Sequence, residues 1–476
     1  MMKRSLAFSM LVVLSSLSMT GAASPTDWPG FRGHGAAGVA DASKLPTTWS
    51  ATANVLWSSE IPGRGWSSPI VWRDRVYVTS AVNSGAFKQP ATGIYGNDLA
   101  AKLTKQGLPP AEVNARVIAR DIELASEVED VRYVVSALDS ATGKVVWERE
   151  AHKGKPAGGR HRKNTYASET PMTDGERIYA SFGGNVGLFC YAMDGGLLWS
   201  HKSDPQPIYL DFGTASSPVL HGGRVYLQRD SEAASSLTAL DAKTGREIWK
   251  VDRTPLSEGS RMKSGWATPF VWETPGRTEI VTIGKSLVVS YSVDGKELWR
   301  LKGMTQATPT PVAGGGLLFV GSGSQGEANR PMYAIKPGAS GDITSTDPLH
   351  PSIAWFQPRL SAYTGSPLFY RGRLYVVNDN GVMQVVNAAT GAEVYKVRVG
   401  GTGNTFSSSP FASDGRIYVV TEDGDTIVFE AGDEYREIAR NSLGEMSLAS
   451  PAANGDSLFI RTQTKLFRVG TRSASR

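Results

Sequence analysis

The sequence holds a single cysteine, Cys190, among 476 residues. No intramolecular disulfide braces this chain, and burial alone must hold its fold together. Histidine is scarce too: His34, His152, His161, His201, His221 and His350 show no paired spacing, which with a lone cysteine argues against a zinc site. Charged residues make up only 20% of the chain, leaving little material for long solvent-facing helices. The formal net charge of +5 falls to +3 without Lys3 and Arg4, too little over this length to point to a nucleic-acid partner. No G-x-S-x-G nucleophile turn occurs. Long apolar runs are missing as well. The longest, Leu6 to Leu17, falls short of the ~20 residues of a membrane span. It follows Lys3 and Arg4 and precedes Gly21, Ala22 and Ala23, the layout of a cleavable export signal over residues 1–23, and no cysteine follows it to carry a lipid anchor. The expectation is a periplasmic or secreted protein with no transmembrane segment in its mature part.

What the chain has in abundance is turns and short strands. There are 52 glycines and 26 prolines, with brief runs of Val, Ile, Leu, Tyr and Phe between them. A small hydroxyl residue followed by proline opens such a run eight times, at Pro69, Pro171, Pro218, Pro269, Pro311, Pro367, Pro410 and Pro451. Five of the seven intervals fall between 40 and 51 residues, one is 56, and the first is 102 because it carries an insertion. A four-stranded propeller blade repeats at ~40 to 45 residues. The spacing therefore predicts an all-β, eight-bladed β-propeller as one domain over residues 24–476. The insertion, about 84–130, has helix-like spacing over Asn97 to Gln106 and Pro110 to Ser126, and a helical hairpin is expected there.

Within each repeat an alternating strand such as Arg75-Val76-Tyr77-Val78 leads to a third strand, a polar turn and an aromatic residue. The turn is most regular from Ala137 to Trp147, with Asp139, Thr142 and Gly143, and from Ala239 to Trp249, with Asp241, Thr244 and Gly245. Weaker copies end at Trp199, Trp299, Trp355 and Tyr395. Asp and Thr bond the turn backbone, Gly supplies a positive φ, and the Trp packs between neighbouring blades. This recurring Ala-x-Asp-x-x-Thr-Gly-x-x-x-Trp pattern resembles the tryptophan-docking motif of the quinoprotein-like propeller family, in its non-catalytic exported branch, and the resemblance covers nearly all of the mature chain. Val55-Leu56-Trp57-Ser58 resembles a terminal blade strand and is expected to complete the last blade, which removes open sheet edges. The opening Asp27-Trp28-Pro29-Gly30-Phe31-Arg32-Gly33, followed by Pro46-Thr47-Thr48-Trp49-Ser50, is expected to wrap the outside of the ring, its Trp and Phe serving as packing anchors.

Segments just before each opening proline should line one mouth of the central channel. Blade 1 brings Arg64 and Trp66, and blade 2 brings Arg160, His161, Arg162, Lys163, Asn164 and Tyr166. Later repeats add Arg261, Lys263 and Trp266, then Gln306, Tyr363, Asn404 and Phe406. Interleaved cations and aromatic faces suit an anionic, flat ligand, while the plainer reading is a packed ring entrance with solvated cations. Other motifs reduce to turns. Gly321 to Gly326 matches G-x-G-x-x-G but leads to a strand rather than a helix, and Asp379-Asn380-Gly381 and Asp423-Gly424-Asp425 read as hairpin turns rather than calcium loops.

The resemblance implies, for the dehydrogenases of the family, pyrroloquinoline quinone held with calcium, under adjacent cysteines. This chain has no adjacent cysteines and no matching Glu, Asn and Asp set, so no cofactor and no metal are expected and the hydride-transfer chemistry lacks its means of activation. Three readings stand. A non-catalytic scaffold for other envelope or secreted proteins is preferred; a binding module for an anionic small molecule or quinone at the mouth, and a quinone-dependent oxidoreductase, are the alternatives.

Overall fold

Alternating Val, Tyr and Ile between tight turns can bury one face only by stacking repeats side by side. The computed structural model, described over residues 24, 26–83, 103–113, 115–116, 119, 130–161, 163–254, 262–324, 327–345 and 348–471, shows eight antiparallel sheets arranged in this way. Blade 1 is built from Ile70–Trp72, Arg75–Asn83, Val131–Asp139 and Val145–Gly154, in that order from the innermost strand outward. Blades 2 to 8 open at Met172, Val219, Phe270, Val312, Leu368, Phe411 and Ala452. In blade 4 a short fifth strand, Gly341–Asp342, pairs in parallel with the outer strand at Trp299 and Arg300. The ring closes as expected: Val55–Glu60 pairs antiparallel with Lys465–Gly470 as the outer strand of blade 8. Of the expected helical hairpin, residues 103–105 and 110–113 are helical and Leu103 and Val113 pack together, while most of that segment lies outside the described residues. Residues 1–23, where the export signal is expected, lie outside them too.

One packing scheme repeats around the ring. In blades 1, 2 and 3 a fully buried tyrosine of the second strand lies 5.9 Å from the tryptophan of the outer strand: Tyr77 and Trp147, Tyr179 and Trp199, Tyr226 and Trp249. The residue between them is small, Ala137, Cys190 and Ala239 respectively, so both rings fit on one side of the sheet. Cys190 is thus a space-filling residue, and burial pushes its thiol up to about 12. Each tryptophan then reaches the next blade: Trp147 Nε1 donates to Met193 O, Trp199 to Ala242 O, Trp249 to Val293 O and Trp355 to Ala388 O. At the turn it meets, a side chain would collide; a Cβ on Gly143 (φ 72°) would lie 2.6 Å from the Trp57 ring.

The proline-linked hydroxyls form a second ring. The amide of Ser68 donates to Thr170 Oγ1, that of Thr170 to Ser217 Oγ, and the pattern runs on through Thr268, Thr310, Ser366 and Ser409 to Ser450. Seven bonds therefore stitch each blade to the next. At the seam between blades 8 and 1, the buried Arg461 donates to Ser67 Oγ, Thr79 O and Ser80 Oγ.

Trp49 and Ser50 do reach the outer strand of blade 7, at Asn441 and Ser442, but the segment Asp27 to Ala40 does not wrap the outside of the ring. It crosses the central channel and hydrogen-bonds the free edges of the innermost strands. Trp28 exchanges two backbone bonds with Val71 of blade 1, and Thr173 of blade 2 donates to Pro29 O. The Arg32 guanidinium reaches Pro367 O of blade 6 at 2.7 Å, and Gly38 and Ala40 pair with Ala412 of blade 7. The side chain of Asp27 accepts from the amide of Arg73 and from Asn454 of blade 8. The physical reason is that eight inner strands leave unpaired edge groups facing the channel, and a short segment with Trp, Phe and Gly satisfies and fills it at once. Gly33 (φ 73°) is required there, since a Cβ would sit 2.7 Å from the Trp28 ring.

Candidate functional site

With the channel blocked by its own N-terminal segment, the opposite mouth is a cup of about 240 Å³ on the ring axis. Its wall follows a simple register: the third residue before each opening proline faces it in every blade. These are Trp66, Ser168, Ala215 and Trp266 on blades 1 to 4, and Thr308, Thr364, Ser407 and Leu448 on blades 5 to 8. Because the hydroxyl-proline step starts each inner strand at the same height, the position three before it is held at the rim in all eight repeats.

Of the sequence-derived candidates, Trp66, His161, Lys163, Asn164, Trp266, Gln306, Tyr363 and Phe406 line this cup. The others go elsewhere. Arg64 pairs through its backbone with Ala81, and Asn404 turns its amide to Gly400 O. Arg160 is buried, with Nη1 on Asn164 O at 2.9 Å and its guanidinium 5.8 Å from the Tyr166 ring. Tyr166 lines a separate small cavity with Gly158 and Asp211, and Lys263 another with Asp230 and Arg253. Arg162 and Arg261 lie outside the described residues. The docking-motif residues stand where the pattern puts them, with Asp139 and Asp241 each accepting from two amides and a threonine hydroxyl in their turns. Those bonds hold both carboxyls below the usual carboxylate range. Trp299 differs: its Nε1 donates at 2.6 Å to Glu279 of its own blade, a buried carboxylate that also accepts from Ser290 and forms an ion pair with Arg277. In blade 5 the chain between the third and fourth strands loops out over Gly341–Asp342 instead of making a tight turn, so the carbonyl that Trp299 would meet is displaced.

Sequence reasoning missed the acidic members of the cup. Glu422 follows the second strand of blade 7 and Asp379 that of blade 6. Glu422 holds Lys163 from blade 2 across the mouth, with Nζ at 2.7 and 2.8 Å from its two carboxylate oxygens, and also accepts from Ser407 and Thr405. Asp379 pairs with Arg330 at 3.1 Å. The available signal was the acidic residue next to each hairpin turn, which as a turn residue gave no hint that it faced the axis.

Aromatic groups form two sides of the cup. On one side His161 packs edge-on to Phe212 at 5.0 Å and Phe212 lies 6.3 Å from Trp266, whose Nε1 is tied to Gly213 O at 2.7 Å. On the other stand Tyr363 and Phe406. Among the described residues no cluster of His, Cys, Asp and Glu is arranged to hold a metal ion.

The sequence family described as outer membrane protein assembly factor BamB matches residues 106–330 and 332–473. No curated protein matches the sequence. Among solved structures, a quinohemoprotein alcohol dehydrogenase from Pseudomonas putida superposes with a TM-score of 0.56 at 10% identity, covering 95% of this chain and 81% of that one. A europium-containing methanol dehydrogenase gives 0.50 at 10% identity over 86% and 90%. BamB from Moraxella catarrhalis gives 0.41 at 14% identity over 63% and 79%. At these identities the structural likeness speaks for the ring alone. The sequence match spans most of the chain, and the chain belongs to the BamB family of quinoprotein-like propellers.

Proposed function

We propose that this protein is an exported, non-catalytic scaffold that holds other envelope proteins, in the manner that the name of its family, an assembly factor, suggests. The observation that carries the reading is the family match over residues 106–330 and 332–473. Residue chemistry supports it. The two carboxylates that face the cup are each committed to a cation, Glu422 to Lys163 and Asp379 to Arg330, which leaves neither poised as a base or a calcium ligand. The only thiol, Cys190, is buried within the sheet of blade 2, away from the mouth. These residues do not fit the quinone and calcium pair of the related dehydrogenases, and no step is assigned to it. A surface for partners is offered by the outer strands of three consecutive blades, which expose Val145 and Val146, Leu197 and Leu198, and Ile248. The Lys3-Arg4 start and the apolar run after it support export.

The test is co-purification of a tagged chain from envelope membranes of its own host. Outer-membrane assembly proteins are expected to accompany the native chain, and Leu198→Glu is expected to reduce their recovery at least about tenfold, since a charge is introduced into apolar contact. Unchanged recovery with that variant would remove the stripe from the reading. Alcohol-dependent dye reduction by the purified protein supplied with quinone and calcium would overturn the reading itself.

A further inference from the structure

The cup was expected to favour an anion because the segments before the prolines are rich in Arg and Lys. Among the described residues that charge is turned away or paired: the Arg160 guanidinium is directed into the protein, Lys163 is bound to Glu422, itself only 2% exposed, and Lys263 lines a separate cavity. What faces the axis is two aromatic walls, Phe212 with Trp266 on one side and Tyr363 with Phe406 on the other. They come from blades 3 and 4 and from blades 6 and 7, so they stand on either side of blade 5, and Trp66 of blade 1 faces that gap from the far side of the ring. Polar groups in the cup are mostly spent. Asn164 donates to Thr214 O and accepts from Ser168, and Ser407 and Thr405 bond Glu422. The Gln306 amide and Thr308 hydroxyl, both on blade 5, make no side-chain hydrogen bond among the described residues.

From this geometry we propose that the cup is a binding site for a small, uncharged, planar aromatic molecule, packed against these aromatic walls with one hydrogen-bonding edge directed at Gln306 and Thr308 between them. Aromatic pairs at centroid separations of 4.5–7 Å are worth about 0.5–1.5 kcal/mol each beyond area burial, which favours a flat ring over an aliphatic one of equal size. Charge selects against anions among the described residues: a carboxylate brought into the cup would meet Glu422 and Asp379, and to pair with Lys163 it would have to draw that cation from Glu422 and leave a buried carboxylate alone. Size limits the ligand as well. A volume of about 240 Å³ lies below the ~300 Å³ at which sites for drug-sized molecules begin, so one or two fused rings fit. Because the N-terminal segment blocks the channel beneath, the ligand enters and leaves by one mouth.

The site does not rest on the scaffold reading, and the two fail separately. Calorimetric titration of the purified protein with 2-naphthol, which is neutral near pH 7, and with 2-naphthoate, which carries a carboxylate on the same ring system, tests it. The expected result is saturable 2-naphthol binding at least about tenfold tighter than that of 2-naphthoate. Leu448→Trp, at the rim of blade 8, adds bulk to the cup without removing a contact and is expected to weaken 2-naphthol at least about tenfold while the melting temperature is held. If that variant fails to fold, Thr308→Phe serves the same purpose from blade 5. Absence of 2-naphthol binding, 2-naphthoate binding as tightly or more so, or binding indifferent to the filling substitution would each overturn the proposal.

Discussion

Glu169, two residues before the opening proline of blade 2, is a buried carboxyl whose main partner is the Thr214 hydroxyl at 2.5 Å. Burial raises its pKa to about 7 against the ordinary 4.5, despite hydrogen bonds that lower it. The folded protein therefore holds this proton between about pH 4.5 and 7 while the unfolded chain releases it, so stability falls as pH rises through that window. Glu169→Gln removes the ionisation and keeps an acceptor for Thr214. Its melting temperature is expected to decline less than that of the native protein between pH 5 and 8, with a gain at the upper end of the order of 3 kcal/mol, the limit set by the shift. Parallel melting curves across pH would show that Glu169 does not titrate there. Nothing in the sequence marked this residue, because Ser168-Glu169-Thr170-Pro171 reads like the other strand openings and its burial depends on blade 3.

Among the elements, the docking tryptophans divide into two groups that experiment can separate. Trp199→Ala leaves a cavity against Gly245 and strips Ala242 O of a donor, and is expected to cost about 3–5 kcal/mol in denaturant unfolding. Trp299→Phe keeps most of the ring volume but leaves the buried Glu279 with one donor fewer, so its loss is expected to shrink in the double variant Trp299→Phe with Glu279→Gln. Equal losses in the single and double variants would mean that the Glu279 bond carries no weight. The tryptophan pattern was legible along the chain because Asp139, Thr142 and Gly143 form a local turn whose chemistry needs only neighbours in sequence. The partner of Trp299 was not, because it depends on the loop that blade 5 substitutes for that turn. The hydroxyl-proline steps were legible as strand openings, yet the interblade bonds that demand Ser or Thr there join residues 41 to 102 positions apart.

For the whole molecule, the N-terminal segment decides whether the ring has a pore. Deleting residues 24–50 is expected to lower the melting temperature and to speed hydrogen exchange at the amides of Val71, Thr173 and Ala412, which donate to Trp28, Pro29 and Gly38. Protection unchanged at those amides would contradict the course of the segment through the channel. Trp49 belongs to the same design: its amide bonds Asn441 of blade 7, and it packs in one core with Ala439, which stands at the outer-strand position that tryptophan takes in other blades.

Blade number, strand order and ring closure were determined by the sequence alone, since alternation, turn residues and the tryptophan spacing are local and recur eight times. The course of Asp27 to Ala40 and the pairing of Lys163 with Glu422 and of Asp379 with Arg330 at the cup were decided only by the tertiary structure. Lys163 and Glu422 are 259 positions apart in sequence, on blades 2 and 7, three apart around the ring. A repeat announces itself to its neighbours in sequence, but what stands across an axis depends on how many repeats close the ring and on where each inner strand leaves its unpaired edge.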